Sequence, residues 1–227
     1  MKINLFGCSH TDLVHNFYFK EEFPTSCCHT TGGYSNFNII NSVYDYVEGG
    51  WNPNEDILVI QYTYTNRWWI PNNLPYNKHG FHSFDINHAP IYKHNPSFMK
   101  DDLLKFYELY ITYFWDYEPA LKYLIQNISL LKSYLDSKGV RYIHYLWTDG
   151  GHGIEWKMNS IEKNINQLDF TKKYKELNLE NIDGEYLWES VFLKRKWIED
   201  DDGHILEKYQ KEFGKHIVEK INEKMLF

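Results

Sequence analysis

Asp56-Ile57-Leu58-Val59-Ile60-Gln61-Tyr62-Thr63-Tyr64 is apolar almost throughout, and its reading decides the fold. A strand with one wet face alternates apolar and polar side chains, whereas a central parallel strand is covered on both faces and reads as a nearly continuous apolar run. Covering both faces takes helices on either side, so strands and helices are expected to alternate around it. Upstream, Lys2 to Cys8 alternates and ends in Gly, Cys and Ser, the form of a buried strand turning into a helix. That helix is expected over Asp12 to about Glu22, stopping before Pro24. Ser26 to Thr31 forms a short second strand, Gly32-Gly33 a turn, and Asn36 to about Val47 a helix with Ile39, Ile40, Val43 and Tyr44 on one side.

Downstream, a helical stretch runs from about Lys100 to Ser137, interrupted near Pro119 and ended by Gly139. Val140 to Trp147 is a further buried strand. Thr148 to Lys175 is polar and loop-like with some helix, Tyr186 to Leu193 a last strand or turn. Ile205 to Met225 is a terminal helix with Ile205, Tyr209, Phe213, His216, Ile217 and Ile221 at helical spacing. The alternation predicts an α/β fold with a parallel sheet and right-handed crossovers. No repeat or linker divides residues 1–227, so one domain is expected, with an irregular insertion at about 68–99.

At 227 residues, a single core would bury roughly 70% of the unfolded surface. Aromatic residues make up 18% of the chain, too many for a disordered protein. The richness in Asn, Lys, Ile and Tyr matches an AT-rich genome, although flat rings also suit sugar faces. A formal net charge of -7 and the lack of a basic tract exclude a nucleic-acid backbone as the main partner. Cys8, Cys27 and Cys28 make no disulfide framework and read as reduced, buried thiols. The start MKINLFGCSH lacks the form of a secretory signal, and no apolar run of about 20 residues follows. The expectation is a cytoplasmic protein without a membrane partner, or a virion-associated one if phage-encoded.

In an open parallel sheet, sites form at the carboxyl ends of the strands. Three loops fall there: Gly7 to His10, Gly32 to Asn36 and Tyr64 to Arg67. Ser9 stands at the exit of the first strand, and Asp201-Asp202-Gly203-His204 precedes the last helix. A serine hydroxyl needs a base within hydrogen-bond reach, and usually a carboxylate to orient that base, before it acts as a nucleophile. The two ends of the chain hold one of each. Each element also has a plainer role. A serine after a strand serves as a helix N-cap, a Gly-Gly pair as a turn, an Asn after a strand as the cap of the next helix, and an Asp run before a helix as a partner of its dipole.

His79, His82, His88 and His94, with His152 in a later Gly-rich loop, include an H-x-x-H spacing. No Cys, Glu-x-x-His or helical spacing joins them, so no metal site and no cofactor are expected. The insertion is read instead as a rim over the substrate, with Trp68, Trp69, Phe81 and Tyr92 as walls.

Taken in order, these segments resemble the SGNH (GDSL-type) hydrolase family. Gly7-Cys8-Ser9-His10 resembles its first block with Cys in the usual Asp position, and Gly33 with Tyr34-Ser35-Asn36 its glycine block. Tyr64-Thr65-Asn66-Arg67 stands where the family has Gly-x-Asn-Asp, and Asp201 to His204 matches the closing Asp-x-x-His, with Ile205 for the usual Pro. The blocks span nearly the whole chain, the middle third matching least. The resemblance implies a three-layer α/β/α sandwich with a central, mostly parallel, flavodoxin-like sheet. It implies Ser9 as nucleophile, His204 as base and Asp201 as its orienting acid, with Asp200 and Asp202 as neighbouring alternatives. It implies an oxyanion hole from the Ser9 and Gly33 amides and the Asn66 side chain, and substrate contacts from His10, Arg67 and Trp68. The activity so implied is a serine esterase removing a small acyl group, acetate above all, from an ester or an acylated carbohydrate. A non-catalytic glycan-binding module and an O-acyltransferase are the alternatives on the same fold.

Overall fold

The computed structural model describes residues 1–30, 35–63, 67–71, 81–85, 117–148, 171–198 and 204–225, with backbone alone for 67–71, 81–85 and 117–118. Strand β1 (Lys2–Phe6) leads into α1 (Ser9–Val14), which continues without a break through a π-helical turn (His15–Phe19) into α2 (Lys20–Glu22). Then come β2 (Cys27–Cys28), α3 (Asn36–Gly50) and β3 (Asp56–Tyr62). After β3 stand β4 (Arg67–Pro71) and β5 (Phe81–Asp85), followed by α4 (Tyr117–Lys138) and β6 (Tyr142–Leu146). The last elements are α5 (Thr171–Glu176), α6 (Trp188–Lys194) and α7 (Gln210–Met225).

Four strands form one parallel sheet in the order β2-β1-β3-β6. This is an α/β fold with the strand order of flavodoxin-like doubly wound sheets. Every residue of β3 is buried, as its apolar run requires. The two-residue period of a strand divides the core. Ile3, Leu5, Ile57, Val59, Ile143 and Tyr145 pack on one side against Val14, Phe19, Trp188, Phe192, Phe213 and Ile217 from α1, the π-helical turn, α6 and α7. Phe6, Leu58, Ile60, Tyr62, Tyr142 and Leu146 pack on the other against Ile39, Val43, Leu124, Ile128 and Leu131 from α3 and α4. Helices therefore cover both faces of the sheet.

Local chemistry explains the ends of these elements. Ser35 caps α3 by accepting from the Asn38 N–H at 3.3 Å. Pro119 lies in the first turn of α4, where its missing N–H costs nothing, so it does not interrupt that helix. Gly139 adopts φ 69° and ends α4, with the Val140 N–H bonded to Leu135 O at 3.0 Å. On β6, His144 is fully buried; its Nε2 donates to Leu177 O at 2.9 Å and its Nδ1 accepts from the Tyr62 hydroxyl at 3.3 Å. Burial pushes its pKa down to about 3.

Several expected boundaries are corrected. The first helix starts at Ser9, three residues before Asp12. The stretch read as an irregular insertion contains an antiparallel ribbon, β4 paired with β5 from Arg67↔Asp85 to Pro71↔Phe81. Tyr186 to Leu193 is mainly helix α6, and only Leu187 makes a parallel bridge, to Leu146. Ile205 does not belong to the terminal helix: it bridges Ile198, and α7 begins at Gln210. Cys8 is buried, whereas Cys27 and Cys28 are half-buried, and all three are free thiols. Among the described residues, no helix is long and apolar enough to cross a membrane.

Candidate active site

The carboxyl ends of β1 and β3 adjoin where the strand order reverses, the place at which doubly wound sheets bind ligands. Ser9 is the first residue of α1, with Cys8 in the N-cap position and no side-chain cap bond there. The Ser9 hydroxyl is thus not a helix cap. Its Oγ lies 2.7 Å from His204 Nε2, a hydrogen bond between residues 195 positions apart. Both side chains are partly exposed. When Nε2 carries no proton, the hydroxyl donates to it.

Two anchors bring His204 to this point. The residue after it, Ile205, pairs with Ile198 in an antiparallel bridge, and the Leu206 N–H donates to Trp197 O at 2.8 Å. Gln210, buried at the start of α7, donates from Nε2 to Ile205 O at 2.7 Å. The segment preceding α7 is thereby tied both to the chain leaving α6 and to α7 itself.

The turn carrying Ser9 is held from beneath. Gln61, buried near the end of β3, accepts from the Thr11 hydroxyl and donates to Cys8 Sγ at 3.4 Å. A Cβ on Gly7 would lie 2.0 Å from Thr11 Oγ1 and 2.8 Å from Gln61 Oε1, so the close approach of α1 to β3 needs glycine at that position. Cys8 is fully buried, so its sulfur packs and does not face a ligand. Burial pushes the half-buried Cys28 thiol up to about 11 and keeps it protonated, which makes it a poor nucleophile.

His10 departs from its expected place. It is buried in α1 at 3% exposure, its ring stacked on Trp147 with centroids 3.9 Å apart and 4.6 Å from the His204 ring. His10 thus belongs to the buried side of α1 and not to a loop after β1.

The other expected site residues fall differently. Asp201, with Asp200 and Asp202, lies outside the described residues, as do Gly33 and Asn66. Arg67 and Trp68 contribute backbone to β4. Of the histidines in the insertion, His82 contributes backbone to β5, and His79, His88, His94 and His152 lie outside the described residues. No cluster of three or more His, Cys, Asp or Glu suited to a metal occurs among the described residues.

Sequence reasoning missed three contributors: Gln61, Trp147 and the Asn36 side chain. Asn36 brackets the backbone of Thr63, just beyond β3, by two hydrogen bonds of 2.8 and 2.7 Å. The polar Gln61 inside an otherwise apolar strand was the one available signal, since a buried amide must find partners. No protein-family model and no curated protein matches this sequence.

Proposed function

We propose that this protein is a serine ester hydrolase of the SGNH (GDSL-type) kind, taking a small acyl ester, with acetate on a carbohydrate hydroxyl as the substrate class. The observation that carries the reading is the 2.7 Å hydrogen bond from Ser9 Oγ to His204 Nε2 at the carboxyl end of β1. A serine free of capping duty, opposed by an imidazole nitrogen, is the pair that nucleophilic acyl transfer requires.

In this reading Ser9 Oγ attacks the ester carbonyl carbon while its proton passes to His204 Nε2. The carbonyl oxygen gains negative charge at the start of the helical run that leads from Ser9 to Glu22. The first amides of a helix have no acceptor within the helix and carry the positive end of its dipole, so they stabilise that oxygen. Collapse of the intermediate expels the alcohol, which takes the proton from His204 and leaves Ser9 acylated. Water then repeats the sequence, losing a proton to His204 as it releases the acid and restores the Ser9 hydroxyl. By the family resemblance, Asp201 orients His204, and Gly33 and Asn66 complete the oxyanion hole. The carbohydrate part of the reading rests on the family resemblance and on the aromatic content of the chain, 18% of its residues.

The test is hydrolysis of p-nitrophenyl acetate. The wild type is expected to turn it over, and Ser9→Ala to lose at least about a thousandfold in kcat with an unchanged thermal midpoint. Equal rates in the two proteins would overturn the reading. With an acetylated oligosaccharide, release of free acetate marks hydrolysis, and movement of acetyl to a second sugar marks transfer.

A further inference from the structure

Strand β3 is apolar but for Asp56 at its start and Gln61 and Tyr62 at its end, and Gln61 is fully buried. The two-residue period sets Gln61 on the face of Ile57 and Val59, under α1. A primary amide in such a place has to find partners within the protein, or its burial costs stability. It finds two, and both belong to the turn that carries Ser9. Oε1 accepts from the Thr11 hydroxyl, and Nε2 donates to Cys8 Sγ at 3.4 Å. Cys8 and Thr11 are themselves buried, and the Thr11 N–H donates to Cys8 O at 3.1 Å. One side chain of the sheet therefore grips both ends of the four-residue turn from Cys8 to Thr11. No side-chain cap bond fixes this end of α1, so its seat on β3 is set by these two bonds and by the close approach that Gly7 allows.

Resting on the esterase reading above, we propose that Gln61 is a positioning residue: its amide, bonded to Cys8 and Thr11, sets the place of Ser9 Oγ and of the first amides of α1 against the ester carbonyl. Neither bond is made to Ser9, so Gln61 acts through its two partners. A shift of the turn displaces together the attacking oxygen and the donors that receive the negative charge, and both act in the transition state. The loss then falls on kcat and not on KM.

Gln61→Met keeps the length of the side chain and removes both hydrogen bonds. With p-nitrophenyl acetate it is expected to lower kcat per folded molecule by about tenfold or more, with KM changed by less than about twofold, because a misplacement of about 1 Å in a reacting group costs up to about a hundredfold. A second change separates positioning from stability. Gln61→Met leaves the Thr11 hydroxyl buried without its acceptor, and Thr11→Val removes that hydroxyl, so the double variant is expected to melt closer to the wild type than Gln61→Met does. Its kcat is expected to stay about tenfold or more below wild type all the same. A wild-type kcat in Gln61→Met overturns the proposal, as does a loss carried by KM alone, or a kcat in the double variant that recovers along with the thermal midpoint. Should Gln61→Met fail to fold, the kcat of the double variant decides in the same sense. Should both fail, Thr11→Val alone decides: a kcat lowered by about threefold or more upholds the proposal, and a wild-type kcat overturns it. A wild type that neither hydrolyses the ester nor reacts with a fluorophosphonate at Ser9 would refute the esterase reading itself, whereas an active wild type with an indifferent Gln61→Met refutes only the positioning role.

Discussion

The side chain of Asn36 grips the main chain of Thr63 at both of its polar groups: Nδ2 donates to Thr63 O at 2.8 Å and Oδ1 accepts from the Thr63 N–H at 2.7 Å. Both residues are buried. Asn36 opens α3 and Thr63 follows β3, so the clamp ties the start of one element to the end of the other. Asn36→Ala would leave two buried backbone groups without this partner, at a cost of about 1–3 kcal/mol for each. Urea unfolding is expected to read a loss of that size, and turnover of p-nitrophenyl acetate per folded molecule is expected to fall with it. Unchanged stability would mean that the clamp contributes nothing.

Gly7 permits the contact of α1 with β3 that holds Ser9. Its Cβ in an alanine variant would meet both the hydroxyl and the Cβ of Thr11, at 2.0 and 2.8 Å, and a branched side chain cannot swing away as a long flexible one can. Gly7→Ala is expected to cost about 1–3 kcal/mol of stability through overpacking, and to depress kcat more than KM by shifting Ser9 from His204. A variant with wild-type thermal midpoint and wild-type kcat would contradict this account of the turn.

His144 makes stability depend on pH. Burial lowers its folded-state pKa to about 3, while an unfolded histidine takes its proton near pH 6.5. Between those values the unfolded chain binds the additional proton, so this contribution is unaffected above the unfolded pKa and turns against the fold as pH falls. Its slope approaches about 1.4 kcal/mol per pH unit. Burial also lowers the pKa of His15 and His29, which adds to the wild-type slope in the same direction. In His144→Phe, the fall in unfolding free energy from pH 6 to 4 is expected to be shallower by about one proton's worth. Parallel curves for variant and wild type would show that His144 does not titrate in this way.

Much of the sheet was legible because the burial of β3 on both faces leaves a mark in its own residues. The parity of Ile57 and Val59 against Leu58 and Ile60 then follows from strand geometry. Short apolar runs were less legible. Tyr186 to Leu193 reads equally as strand or helix, and tertiary contacts decide: Leu187 bridges Leu146 while the residues after it coil into α6. Ile205 has helical spacing with Tyr209, yet its pairing with Ile198 removes it from α7. The ribbon of β4 and β5 was hidden because Trp68-Trp69-Ile70-Pro71 breaks the alternation that marks a strand. At the site, the order of the blocks pointed to Ser9 and His204, which the fold brings together. The place of His10 was not legible, since no spacing rule says which ring a single histidine will meet.

The central claim is that Ser9 is the nucleophile and His204 its base. Treatment with a fluorophosphonate, followed by peptide mapping of the adduct in wild type, Ser9→Ala and His204→Ala, tests it most directly. The account predicts one adduct on Ser9 in the wild type, none in Ser9→Ala, and labelling slowed by at least about a hundredfold in His204→Ala, because without the imidazole the hydroxyl keeps its proton. An adduct on another residue such as Ser35, or labelling of Ser9 at an undiminished rate in His204→Ala, would contradict it.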